Sequence, residues 1–359
     1  MTNMVHNVLI TGGSGYLGGS LLASWAQSNL SGYQSLYALV RSDAQADAVK
    51  TLYDAEPVRC DLQEKSIRAS ILEKRISVVI YLIDSYYPNG QLAFIKALGE
   101  LKKTTGQEVH FVFTSGTKQF SDMAGAPTDG LLYDNDPNLY EIHKSQKAAH
   151  EELQHSVQTT ITVVEAGEEH NVRIYVFSPC IVYGKGLGFG NLISIQTVDI
   201  VIAAKAAGGV YRIGREGKKT WPVCHISDCT ALFISLIKAI LNDSNPDHGK
   251  HGFYLASSGS ARWDDIYSAT NKALVKRGII EDASVKMVTD EALQKMAKAL
   301  NVETSSVVVK VGGQSNYTAA HGKDLGWWPR YPPTHILEAL DDEVGLILES
   351  LSPKHQGIR

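Results

Sequence analysis

The chain has 359 residues, 44% of them hydrophobic and 20% charged, with a formal net charge of −4. That size and composition predict one large α/β unit with a smaller lobe, and the absence of a Lys/Arg block argues against a nucleic-acid or anionic-membrane partner. Cys60, Cys180, Cys224 and Cys229 are scattered without a C-x-x-C spacing, so reduced thiols and no metal site are expected. No charged leader precedes a long apolar run, and no run approaches the ~18 apolar residues of a membrane span, so a soluble, cytoplasmic protein is expected.

In chain order, "VHNVLIT" (5–11) reads as a buried strand and "YLGGSLLASWAQS" as the helix after it. "SLYALV" (35–40), "EPVRCDL", "ISVVIYLID" (76–84), "EVHFVFTSG" (108–116) and "NVRIYVFSP" (171–179) read as further strands. Helical stretches fit between them at about 42–52, 63–75, 90–105 and from 139 onward. Continuous apolar strands alternating with helices imply a parallel sheet covered on both faces, a doubly wound Rossmann fold. The connection from about 153 to 169 is longer than this rhythm needs, and periodicity does not place "VQTTITVVEAG". The nucleotide-binding unit is expected over 1–183. A smaller, mostly helical substrate lobe is expected over 184–359, with the chain returning to the first unit near 221–260.

"TGGSGYLGG" (11–19) stands where the first strand meets the first helix. Gly12 permits the tight turn, Gly15 lets backbone approach a pyrophosphate, and Gly18 lets the helix pack close to the strand. The helix start at Ser14, Tyr16 and Leu17 then offers free N–H groups to phosphate. The second strand ends in "ALVRS", with Arg41 where an acidic residue would accept an NAD ribose hydroxyl. A cation there suits a 2′-phosphate, which favours NADP(H). The alternative is a solvent-facing loop cation.

The G-x-x-G-x-x-G spacing resembles the short-chain dehydrogenase/reductase superfamily. The likeness is closest to the extended and atypical branch of nucleotide-sugar epimerases and dihydroflavonol-type reductases. Further segments carry it in order: "RCDLQ" with Asp61 and Leu62, "LIDSYY" with Ile83, "SPCIVYGKG" with Pro179, "GREGKKTWPVCHISDCTALF", and "HGKDLGWWPRYP". The resemblance implies that Asp61 and Leu62 contact adenine, that Ile83 lines the nicotinamide side, and that Pro179 belongs to the cofactor site.

The same resemblance implies a catalytic Tyr with a Lys one turn later and a Ser or Thr that orients the substrate oxygen. "NLYEIHKSQKAAHEEL" (138–153) offers two frames on one expected helix, Tyr140 with Lys144, or His143 with Lys147. "KAAHEE" favours the second frame, which puts His in place of Tyr and leaves Lys147 to hold the ribose. A polar helix face with an accidental spacing is the plainer alternative. At the fifth strand's end, "FTSGTKQF" has Gly116 at the expected catalytic hydroxyl, flanked by Ser115 and Thr117. Trp221 stands where nucleotide-sugar enzymes carry a phosphate-gripping Arg, so an uncharged or aromatic substrate is expected, with Tyr86, Tyr183 and Trp221 as candidate liners. Trp221 reads equally well as a core residue. Asp228 is expected to cap the helix beginning "CTALF".

The expected function is an NADP(H)-dependent oxidoreductase acting on a small organic carbonyl, imine or activated alkene, by family habit in secondary metabolism. Alternatives are an NADP(H)-binding redox sensor similar to the NmrA-like regulators, and a non-redox isomerase or cyclase. A homodimer is expected from the family's helix-bundle interface.

Overall fold

The computed structural model describes residues 5–214 and 218–352. The Gly-x-Gly part of "GREGKK" therefore lies partly outside the described residues. Seven parallel strands form the central sheet: β1 (His6–Ile10), β2 (Tyr33–Leu39), β3 (Glu56–Val58), β4 (Val78–Tyr81), β5 (His110–Thr114), β6 (Arg173–Ser178) and β7 (Phe253–Leu255). Their order is β7-β6-β5-β4-β1-β2-β3. The order reverses between β1 and β4, and the carboxyl ends of these two strands open the crevice where such sheets bind ligands.

Period-two alternation sorts the strand side chains between two cores. Leu9, Val79, Phe111, Phe113 and Val176 face α3 (Glu64–Glu73), α4 (Asn89–Thr105) and α6 (Glu151–His170). Val8, Ile10, Val78, Ile80, Val112 and Phe177 face α1 (Tyr16–Trp25), α2 (Asp43–Tyr53) and α8 (Ile226–Leu241). Both sheet faces are thus covered, which is why the strands read as continuous apolar runs. Turn chemistry sets the helix ends. Ser42 accepts the N–H of Gln45 to start α2, and Gly106 stops α4 in the left-handed region at φ 72°.

A third core belongs to the carboxyl-terminal lobe. It joins α7 (Gln196–Ala207), α9 (Trp263–Lys276), α10 (Asp290–Leu300), α11 (Val307–Val311) and α12 (His335–Ser350). A small sheet of Ile181–Tyr183, Thr220–His225 and Ser260–Arg262 lies beside them. The "GFYLAS" segment leaves the lobe and adds β7 to the edge of the central sheet.

Two local expectations are corrected. The helix expected from 139 onward is two helices, α5 (Leu139–Ser145) and α6. Gln146 leaves helical geometry at φ −64°, ψ 144°. Its side-chain amide donates to the carbonyls of Gln119 and Ala124, and Ala149 N–H donates to Met123 O. These tertiary bonds hold 146–149 out of the helix, against the local helical preference. "VQTTITVVEAG", which periodicity leaves open, is the body of α6. Asp228 also does not cap its helix. His225 is the N-cap, accepting the N–H of Ser227, while Asp228 Oδ2 accepts the N–H of Tyr331 at 2.9 Å.

Candidate active site

The glycine turn lies at the strand-order reversal. Gly12 has φ 66°, and a Cβ there would stand 2.8 Å from the carbonyl oxygen of Leu82, just past β4. A Cβ on Gly18 would overlap the carbonyl oxygen of Gly12, so the first turn of α1 packs directly on the loop. The N-cap of α1 is Gly15, which carries no capping side chain, and no acidic residue stands in the first turn. The Tyr16 and Leu17 backbone therefore meets the crevice without a competing carboxylate. Tyr16 points its ring inward and donates its hydroxyl to Gly184 O at 2.6 Å.

Gln45 ties this loop to the end of β2. Its Nε2 donates to Ser14 Oγ at 3.2 Å and its Oε1 accepts the Arg41 N–H at 2.8 Å. The Arg41 side chain is exposed and makes no hydrogen bond or ion pair among the described residues. Asp61 is exposed and accepts the N–H of Gln63, Leu62 is 39% exposed, and Ile83 is 44% exposed at the end of β4. These residues lie along the carboxyl ends of β2, β3 and β4, bordering one crevice.

A segment that the sequence reading passed over packs on this turn. In "GKGLGFGN", Gly188 rests on Gly19, Gly190 closes on the carbonyl of Ser14, and Asn191 N–H donates to Ser14 O at 2.9 Å. The alternate glycines were a visible signal for such close backbone packing.

The tip of β5 carries hydroxyls in different states. Thr117 Oγ1 donates to Pro179 O at 2.9 Å and pairs with the Tyr317 hydroxyl. Thr114 Oγ1, Ser115 Oγ and Ser178 Oγ are buried without a partner among the described residues.

The expected catalytic residues are not brought together. Because α5 ends at Ser145, Lys147 lies beyond it, exposed, and the four residues do not share one helical face. Tyr140 donates its hydroxyl to Glu165 Oε1 at 3.1 Å, and Lys144 Nζ stands 2.7 Å from the same oxygen. Burial, then Glu165, pushes the Tyr140 hydroxyl up to about 12. His143 is fully buried, donates to Gln146 Oε1 at 2.8 Å and leaves Nε2 unpartnered. Burial lowers its pKa to about 4.

The substrate candidates also part company. Trp221 is fully buried against Trp263, with ring centroids 5.6 Å apart, and belongs to the lobe core. Tyr183 is buried too, its hydroxyl 3.1 Å from His335 Nδ1. Tyr86 remains 36% exposed, on a loop held by Thr159, whose hydroxyl donates to Tyr86 O at 2.7 Å. Beside it the hydroxyl of Ser156, on the first turns of α6, donates to Ser85 O at 3.0 Å.

The charged groups gathered past the tip of β5 are ones that the sequence left unmarked. Lys118 follows the tip of β5, Glu152 opens α6, Asp199 is in the first turn of α7, and Lys310 is on α11. Burial lowers the Lys118 pKa to about 8; Lys310 adds to that shift, while Asp199 and Glu152 oppose it. Burial raises the Asp199 pKa against the pull of Lys310 and Lys118. Tyr86 feels the same carboxylates: its pKa is raised by burial and then by Glu152, Asp84 and Asp199. Four chain segments far apart in sequence meet here, which no local spacing could reveal.

No described helix is long and apolar enough to cross a membrane. The profile of the NAD dependent epimerase/dehydratase family matches residues 8–249. No curated protein matches the chain in sequence. Among solved structures, the chain is similar to dTDP-glucose 4,6-dehydratase from Bacillus anthracis in complex with NAD, at 12% identity and TM-score 0.64, covering 99% of this chain and 100% of that one. It is similar to UDP-glucose 4-epimerase from Thermotoga maritima with UDP-glucose, at 14% identity and TM-score 0.60, covering 96% and 100%. It is also similar to vestitone reductase from alfalfa, at 16% identity and TM-score 0.57, covering 96% and 98%. At these identities the likeness is one of fold.

Proposed function

The chain belongs to the NAD dependent epimerase/dehydratase family, and from that premise we propose that it binds NADP(H) across the β1–β4 crevice and acts as an oxidoreductase on a small organic carbonyl, imine or activated alkene. The observation that carries this reading is the glycine cradle. Gly12 and Gly18 close on backbone with no room for a side chain, and the α1 N-terminus faces the crevice uncapped. Backbone N–H groups at Gly15, Tyr16 and Leu17 would hold the pyrophosphate. The unpaired Arg41 would take the 2′-phosphate. Asp61 and Leu62 would border the adenine, and Ile83 and Pro179 would close the nicotinamide end. A bound nicotinamide supplies a hydride donor or acceptor.

Around that centre this chain's own groups must place the substrate and move its proton. Ser115, with a buried and unpartnered hydroxyl, is better available to a substrate oxygen than Thr117, whose hydroxyl is already committed. Tyr86 would border the substrate. The exposed Lys147 could reach a ribose only by its length, since it is outside any helix.

A second reading, a cofactor-binding sensor without turnover, is favoured by one observation: Tyr140 and His143 are both engaged away from the crevice. One experiment separates the two. The protein is titrated with NADPH and NADH by fluorescence, then nicotinamide absorbance is followed with a panel of aldehydes, ketones and enones. Tight NADPH binding with consumption supports the oxidoreductase. Binding without consumption supports the sensor. No binding removes both.

A further inference from the structure

We propose that Lys118 is the acid–base residue of this protein, set with Asp199, Glu152 and Lys310 in a site without surplus positive charge that takes a small neutral hydroxy-carbonyl compound. The inference rests on the reading of the crevice as the substrate site, and it supplies the proton-transfer group that the Tyr140 and His143 positions do not.

The placement comes from topology. Lys118 stands in the turn leaving β5, next to the β4–α4 loop that carries Asp84 and Tyr86. Glu152 opens the helix that packs on that turn. Asp199 and Lys310 come from the lobe, on helices locked together where Gln196 Nε2 donates to Lys310 O at 3.3 Å. The cluster thus bridges the carboxyl edge of the sheet and the lobe, where a substrate beside a bound nicotinamide would lie.

The groups are also unspent. Lys118 Nζ makes no hydrogen bond or ion pair within 4.0 Å among the described residues, although opposite charges surround it. Asp199 Oδ2 is buried without a hydrogen-bond partner. A buried carboxylate oxygen without a donor is costly, and a ligand hydroxyl would satisfy it. Lys118 offers the complementary donor to a carbonyl oxygen.

Charge then selects the substrate class. With Asp84 on the adjoining loop, three carboxylates stand against two ammonium groups, so a nucleoside diphosphate would add negative charge to a site with no surplus cation. A neutral molecule with a carbonyl at Lys118 and a hydroxyl at Asp199 adds none. In the forward step the carbonyl carbon would take hydride from the nicotinamide, opening its C=O π bond, while a Lys118 N–H bond breaks as an O–H bond forms on the substrate oxygen, leaving an alcohol and a neutral amine. The reverse step returns the proton. A lysine whose ammonium form is disfavoured by burial titrates close to working pH, as this role requires.

The test reads Lys118 directly. The full-length protein is acetylated with an N-hydroxysuccinimide ester across the neutral to alkaline range, and each lysine is followed by peptide mass spectrometry. Lys118 should become reactive around pH 8, well below surface lysines. Asp199→Asn and Glu152→Gln should lower its midpoint, and Lys310→Met should raise it. A panel of small hydroxyaldehydes and hydroxyketones should include members that slow Lys118 acetylation and leave surface lysines unaffected. With any such compound that is turned over, Lys118→Met should lower kcat by roughly a hundredfold at unchanged NADPH affinity. Lys118→Arg should keep the fold and displace the pH profile upward.

A midpoint equal to that of surface lysines, a panel that never protects Lys118, or full kcat in Lys118→Met would each overturn the proposal. Gly15→Asp separates it from the cofactor reading. That variant should lose NADPH while keeping the Lys118 midpoint, whereas failure of wild-type protein to bind NADPH would remove the cofactor reading alone.

Discussion

His143 stacks on Phe120 with ring centroids 5.0 Å apart and planes 25° from parallel. The ring is wedged in the core that backs the turn after β5, with Phe253 edge-on at 6.0 Å. A neutral imidazole is tolerated there; an imidazolium is not. Because the folded pKa, about 4, lies below the ordinary imidazole value of 6.5, the unfolded state binds more protons between these values. Stability is therefore full above about pH 6.5 and is lost as pH falls toward 4, by about 3 kcal/mol from this residue. Urea unfolding across that window measures it. His143→Phe should flatten the slope. A residual slope remains from His6 and His110, which are lowered by burial in the same direction.

Tyr140→Phe removes one hydrogen bond to a half-exposed carboxylate. It should cost about 1 kcal/mol or less, and leave NADPH affinity and turnover unchanged. A large fall in kcat with intact stability would return Tyr140 to the catalytic machinery.

Gly18→Ala sets a methyl group against the backbone carbonyl of Gly12, which cannot swing away as a side chain would. The expected outcome is a loss of about 1–3 kcal/mol in stability and a marked loss of NADPH affinity. Calorimetry and a fluorescence titration on the same sample separate the two effects.

Arg41→Asp should weaken NADPH by about tenfold to a hundredfold, the worth of a charge-assisted phosphate contact, while NADH weakens little or tightens. Equal losses for both cofactors would take Arg41 out of the site.

Trp221→Ala should act through the lobe core. With Trp263 and Gly313 packed against the indole, it should cost about 3–5 kcal/mol. A variant of near wild-type stability with altered substrate preference would make Trp221 a pocket wall after all.

The alternation of apolar strands and helices was enough to determine the Rossmann sheet, because burial on both faces leaves a continuous apolar signature in each strand. The glycine turn was legible for a similar reason. Gly12 and Gly18 are forced by backbone contacts within a few residues or across one strand pair, so the constraint is written locally. The break between α5 and α6 was not legible. Whether Tyr140, His143 and Lys147 share a face depends on Gln146, whose bonds to Gln119, Ala124 and His143 break the helix. Local spacing sees the helical preference and is blind to those partners. Trp221 likewise reads as wall or core until the lobe is folded. The Lys118 cluster is the furthest from sequence. Its four charges lie on a turn and three helices, and they become neighbours only when the lobe closes against the carboxyl edge of the sheet. Local periodicity and glycine spacing thus determined the scaffold and its tight glycine turn. Long-range packing alone decided which charged side chains gather around Lys118.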